Sequence, residues 1–280
     1  MNRSATRGRA FSLGTWFATI VVVVFLTMPL LAIFLRTSPA TLIGRLGDPV
    51  ARDAIVATVL ANVGAQLLVL VIGTPAAYLI ATRRFRGRAV VMTFMDLPLV
   101  LPPAVAGIGL IAAFGRHGLL GGVLHDAGIS VTLTRAAVVM AVAYVSSPFY
   151  LRQAVAAFES VDPTLVEASQ TLGASPSRTF RRVVIPLAAR GLGAGAVLSF
   201  ARGMGEFGAT IMFAGSLQGV TQTLPLAIYA QLADDFDLAL ALGALLVIVS
   251  GAILLLARLL VSWTASTSIS HSRAATSSSR

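Results

Sequence analysis

The 280-residue chain has no cysteine and no lysine: all 21 of its Lys and Arg positions are arginine. Without cysteine it has no disulfide, no thiolate nucleophile and no thiolate metal ligand. Without lysine it has no G-x-x-x-x-G-K-[ST] phosphate loop, so ATP chemistry has to come from elsewhere. Charge is also scarce, with 11% charged residues against 56% hydrophobic. Mean hydropathy is +0.87, and several apolar runs reach the roughly 20 residues that a helix needs to cross the hydrocarbon core of a bilayer. The composition is that of an integral membrane protein. The net charge of +10 and the pI near 11.5 are not a nucleic-acid footprint, because membrane topology accounts for most of the arginines.

Six segments carry the apolar runs: residues 11–35, 54–82, 89–114, 133–158, 183–213 and 238–263. Their apolar residues run all round instead of alternating, which favours lipid-embedded helices over barrel strands. The expected fold is all-α and polytopic, with a tail over 1–10, a six-span domain over 11–263 and a disordered Ser/Thr-rich tail over 264–280. The first run follows Arg3, Arg7 and Arg9, yet it is too long for a signal peptide and reads as an anchor. Arginines are retained on the cytoplasmic side. With the N-terminus inside, thirteen face the cytoplasm: Arg3, Arg7, Arg9, Arg83, Arg84, Arg86, Arg88, Arg178, Arg181, Arg182, Arg258, Arg273 and Arg280. Only Arg36, Arg45, Arg52 and Arg116 fall in the opposite loops. Both termini and the 159–182 loop are expected in the cytoplasm. The arginine cluster over 83–88 serves as a topology anchor and also suits anionic lipid headgroups.

That loop reads ESVDPTLVEASQTLGASPSRTFRRVVIPLAARG. Asp162–Pro163 signals a helix start, Leu165, Val166, Ala168, Ser169 and Leu172 repeat at helical spacing, and Gly173 can end the helix. Ser175 and Pro176 open a second short helix that returns to the membrane, with Pro186 near the start of the fifth span.

At these residues the chain resembles the permease subunits of ATP-binding-cassette importers. Their hallmark is an EAA sequence, a glycine four residues on, and an I-x-L-P ending after nine more. Glu167, Ala168 and Ser169 match the EAA, Gly173 the glycine, and Val183, Ile185 and Pro186 the ending. Departures are Ser169 for the last alanine, Val183 for isoleucine and Ile185 for leucine. The resemblance implies that this helix docks into a cleft of a separate ATPase subunit, which binds ATP and Mg, and passes its closure to the spans. It implies no cofactor in this chain, a homodimer forming one path, two cytoplasmic ATPase subunits, an external binding protein, and a bacterial inner membrane. DLPLVLPPAVAGIGL, SSPFYLRQAVAAFESVD, FARGMGEFGATIMFAG and TQTLPLAIY narrow it further, being similar to molybdate-importer permeases and their sulfate relatives. The implied cargo is molybdate, with sulfate, thiosulfate or tungstate as alternatives within the class and an ion-gradient transporter outside it.

A tetrahedral dianion is costly to desolvate, and a deep positive well would trap it, so a path needs polar surface and balanced charge. Arg202 and Glu206 stand one helical turn apart among glycines, with Gly205, Gly208 and Thr210 beside them. The pair can line or gate a path, or hold structure; the glycines suit close helix approach at a subunit interface. Asp96 lies close to the cytoplasmic end of the third segment and reads first as an interfacial helix residue, while Pro98, Pro102 and Pro103 mark a bent span whose kink can serve a gate or be a fixed irregularity. His117, His125 and Asp126 match no zinc spacing, and Ser146 and Ser147 have no histidine base, so neither metal binding nor hydrolysis is expected.

Overall fold

The computed structural model describes residues 3–255, with side chains from residue 14 onward. The expected tail over 264–280 lies outside these residues. Every regular element among the described residues is helical. In chain order they are α1 (Arg3–Arg36), α2 (Pro39–Arg45), α3 (Pro49–Thr82), α4 (Arg88–Val100), α5 (Pro103–Phe114), α6 (Gly121–Asp126), α7 (Arg135–Glu159), α8 (Pro163–Thr171), α9 (Pro176–Thr179), α10 (Ile185–Met204), α11 (Gly208–Ala214) and α12 (Leu224–Gln231). A final helix, α13, spans Phe236–Leu255.

Among the described residues four stretches are long and apolar enough to cross a membrane: Gly14–Arg36, Pro49–Thr82, Pro176–Met204 and Phe236–Leu255. A fifth appears if α4 and α5, bent by 118° at their junction, count as one. Pro102 and Pro103 cause that bend. The residue before a proline is pushed out of the α region, and here both Leu101 (ψ 134°) and Pro102 (ψ 132°) are extended. The fourth segment expected to span, α7, has the length at 25 residues but is not among the four apolar stretches. Its surroundings explain its composition, since 13 of its residues are buried and it packs against α3, α4, α5, α10 and α11. A helix wrapped by protein need not match lipid on every face.

Small residues let these helices approach. α3 presents Ala51, Ala54, Ala57, Ala61, Ala65, Gly73 and Ala77 at helical spacing, all buried. On α10, a Cβ at Gly191 would stand 2.4 Å from the Ala157 Cβ, and one at Gly195 2.8 Å from the Gln153 Cβ. The α7–α10 contact therefore runs through a G-x-x-x-G face. A second, smaller core joins the start of α3 to α12 and α13 through Ala54, Leu224, Leu238 and Leu242. In contrast, α1 buries none of its apolar stretch against the rest of the chain.

Candidate functional site

The 160–182 loop is built by local rules. Asp162 caps α8, its Oδ1 accepting the Thr164 N–H at 2.9 Å. That bond, with the Thr164 hydroxyl adding to it, holds the exposed Asp162 carboxyl below the usual carboxylate range. Pro163 occupies the first turn, where its missing N–H is no loss. At the other end, Ala174 N–H donates to Ser169 C=O at 3.1 Å and Gly173 N–H to Gln170 C=O at 2.9 Å. This paired closure needs a left-handed residue, and Gly173 supplies it with φ +84°. Ser175 then caps α9, accepting the Arg178 N–H at 3.4 Å.

The EAA-like residues lie on this hairpin. Glu167 and Ala168 are exposed, while Ser169 turns inward, its hydroxyl 3.1 Å from that of buried Thr179. A groove of about 480 Å³ opens between the two helices, lined by Leu165, Ala168, Leu172, Arg178 and Arg182. Leu172 is 89% exposed there. From α9 the chain runs without interruption into α10 through a π-helical turn, Phe180–Val184. Pro186 accounts for the wide turn: it cannot donate to the carbonyl four residues back, and Ile185 N–H bonds instead to Phe180 C=O, five back. Val183 is half-buried and Ile185 lies just past the turn. Phe180 packs against Tyr78 of α3 (centroids 4.6 Å) and Phe158 of α7 (6.2 Å), so the hairpin is rooted in the bundle.

At its far end this helix breaks. α10 stops at Met204 and α11 starts at Gly208, so the stretch over 183–213 is two helices, not one span. Glu206 sits in the gap with its side chain 1% exposed. Its Oε1 accepts the Ala209 N–H at 2.8 Å, and Oε2 pairs with Arg202 Nη2 at 3.0 Å. The carboxylate thereby satisfies one orphan amide at the start of α11 while balancing its own charge. Gly203 and Gly208 do not face open space: a Cβ at Gly203 would meet Asn62 Oδ1 at 2.5 Å, and one at Gly208 the Pro103 Cβ at 2.7 Å. Both make close approaches within the chain. Gly205 has nothing within 4 Å. Thr210 is fully buried, its hydroxyl without a hydrogen-bond partner among the described residues.

Residues 70–265 match the family described as binding-protein-dependent transport system inner membrane component. The chain belongs to this family of ABC importer permeases. It is similar to the molybdenum transport system permease protein ModB of Mycobacterium tuberculosis, 42% identical over 242 residues that cover 86% of this chain and 91% of that one. It is also similar to the sulfate transport system permease protein CysT of Salmonella typhimurium, 36% identical over 259 residues, 91% of this chain and 92% of that one. Its fold is similar to that of a bacterial ABC transporter involved in alginate import, with TM-score 0.71 at 17% identity over 93% of this chain and 97% of that one.

Among the described residues the permease also holds three ion pairs that the sequence pattern does not announce, one of them Arg45 Nη1 with Asp235 Oδ2 at 3.1 Å. Arg152 of α7 grips Asp96 of α4 with two parallel bonds, Nε to Oδ1 at 2.5 Å and Nη2 to Oδ2 at 2.8 Å. Two turns along, Arg88 at the start of α4 pairs with Glu159 at the end of α7, and its Nε donates to Ile80 C=O at 2.9 Å. Partners 56 and 71 residues apart leave no spacing signal. The one hint is that Arg152 lies inside an expected span, where an arginine calls for a partner. Elsewhere, an apolar groove of about 340 Å³ lies between α3, α5 and α7, lined by Leu68, Ile72, Leu110 and Met140. Its walls offer a dianion almost nothing.

Proposed function

We propose that this permease imports molybdate, crossing the membrane six times with both termini in the cytoplasm and working as a homodimer that encloses one path. Two ATP-binding-cassette subunits, which bind the ATP and Mg, dock on the two 160–182 hairpins, and an external oxyanion-binding protein delivers the anion. The observation that carries the cargo assignment is the 42% identity to a molybdenum permease along 86% of the chain. The 36% identity to a sulfate permease favours sulfate as the second reading.

The docking residues in this reading are Glu167, Ala168, Ser169 and Gly173, with Val183, Ile185 and Pro186 at the root. What supports the assignment is the exposed apolar groove between α8 and α9, where Leu172 has no intramolecular reason to face solvent. A push on α8 passes through the Ser169–Thr179 contact into a helix that runs from Pro176 to Met204. The far end of that lever carries Arg202, Gly205 and Glu206, followed by Gly208 and Thr210 of α11. In this reading the break at 205–207 is where tilting of α10 is converted into movement of the path wall. Replacing Leu172 with Asp or Glu167 with Arg should abolish co-purification of the ATPase subunits and ATP-driven uptake together, with the permease still folded. Undiminished uptake in both variants would contradict the docking role.

A further inference from the structure

The anion path of this permease needs charge that is present but not locked. Glu206 is a poor candidate for that duty, since its carboxylate is buried and committed to the start of α11. The Asp96–Arg152 pair is the opposite case. Its side chains are 27% and 56% exposed, the bond is bidentate, and the remaining guanidinium nitrogen, Nη1, has no hydrogen-bond partner among the described residues.

Depth makes this exposure informative. Arg152 lies seven residues before Glu159, about 10 Å inward along α7. Asp96 lies a similar distance inward from Arg88 along α4. The outer pair, Arg88 with Glu159, marks the end of the two helices; the inner pair lies about two turns further in, inside the expected spans 89–114 and 133–158. A charged pair more than half open on its arginine side is too costly to leave against lipid tails at that depth. It has to face water. The second half of α7 is otherwise closed: from Ala141 to Glu159 only Tyr144, Arg152, Ala156 and Glu159 are exposed. Of these, Arg152, Ala156 and Glu159 follow one another at helical spacing along one face. α4 packs beside this face without a single fully buried residue and turns into α5 through the 118° bend. Besides the two ion pairs, only partly buried side chains such as Met92 and Met95 tie it to the core.

We propose that Arg152 is an anion-contacting residue of the inner half of the translocation path, with Asp96 as its internal competitor. The arriving tetrahedral oxyanion takes the Nη1 edge first and then displaces the Asp96 carboxylate from Nε and Nη2, the fork geometry suiting either partner. Asp96 returns as the anion leaves, so the site recognises the dianion without becoming a trap. The exchange also loosens α4 from α7 only while the anion is present. This proposal rests on the oxyanion reading of the preceding section.

Because the chain contains no cysteine, a single introduced thiol reports on this face without any prior substitution. The test uses the complete importer in proteoliposomes, carrying Ala156→Cys with Arg152 intact. Modification by a membrane-impermeant, positively charged thiosulfonate should proceed from the cytoplasmic side and be slowed about tenfold by molybdate, and the protection should vanish in the Ala156→Cys, Arg152→Gln double variant. In uptake assays Arg152→Gln should raise the half-saturating molybdate concentration of the intact importer, with Arg152→Lys recovering part of it. Asp96→Asn separates recognition from structure, because it should tighten half-saturation while lowering maximal turnover. A purely structural pair would weaken both in every variant. An introduced thiol that does not react, as behind lipid or a subunit interface, or that reacts equally fast with and without molybdate, overturns the proposal. Uptake by the unsubstituted importer is measured in the same vesicles, so a wrong cargo assignment shows as absent molybdate uptake there and is distinguished from a misplaced site.

Discussion

At the scale of single residues, the Arg202–Glu206 and Arg152–Asp96 pairs differ in burial, and only the first was legible in the sequence. Arg202 and Glu206 are one turn apart, so their pairing could be read from spacing alone. That Glu206 also caps a new helix could not, because the break between α10 and α11 depends on packing against α5. Glu206→Ala should therefore destabilise the permease by about 2–3 kcal/mol, leaving Arg202 unpaired and the Ala209 amide unbonded; thermal unfolding in detergent measures it. Glycines separate by their surroundings in the same way. Gly107→Ala drives a Cβ to 2.6 Å from the Met212 Cβ and 2.8 Å from the Ala209 carbonyl oxygen, so a loss of about 1–3 kcal/mol is expected in the same assay. Gly205→Ala meets nothing within 4 Å and should shift stability by less than about 0.5 kcal/mol.

At the scale of elements, local chemistry was readable and tertiary geometry was not. The Asp-Pro start and the glycine end of α8 are written in the loop, and both ends close as those residues dictate. The proline pair announced an irregular third span but not its 118° angle, and Pro186 gave no sign that the turn before it would be π-helical. Asp162 bears on pH. Its folded pKa is depressed, so its contribution is fully present above the ordinary carboxylate range and is lost as pH falls through the lowered value. Amide exchange at Thr164 should stay protected between pH 5 and 8 (about the range over which an ordinary carboxylate is ionised) and lose protection only in stronger acid; Asp162→Ala should remove the protection throughout. Gly173→Ala imposes about 1 kcal/mol of strain at φ +84° with no steric clash. Since α8 has no buried residues, the bundle should keep its melting temperature while ATP hydrolysis and uptake come apart, as read by the ratio of anion transported to ATP consumed.

At the scale of the whole molecule, composition alone gave a membrane-embedded helical chain without a phosphate loop, and the family match agrees with the permease assignment made from the 159–182 loop. Hydropathy counts apolar residues and does not see bends, so neither the 118° angle in the third segment nor the break at 205–207 in the fifth was set by it. It also undervalues α7, a helix shielded by its own neighbours. The free face of α1 and the exposed groove of the 160–182 hairpin are surfaces that one copy of the chain leaves uncovered. The most direct measurement is uptake of labelled molybdate into proteoliposomes containing the permease with or without ATPase subunits and oxyanion-binding protein. Accumulation should require all three proteins and hydrolysable ATP, and should exceed that of sulfate at equal concentration. Molybdate accumulation by the permease alone, driven by an ion gradient, would contradict the reading of this chain as one part of an ATP-driven importer.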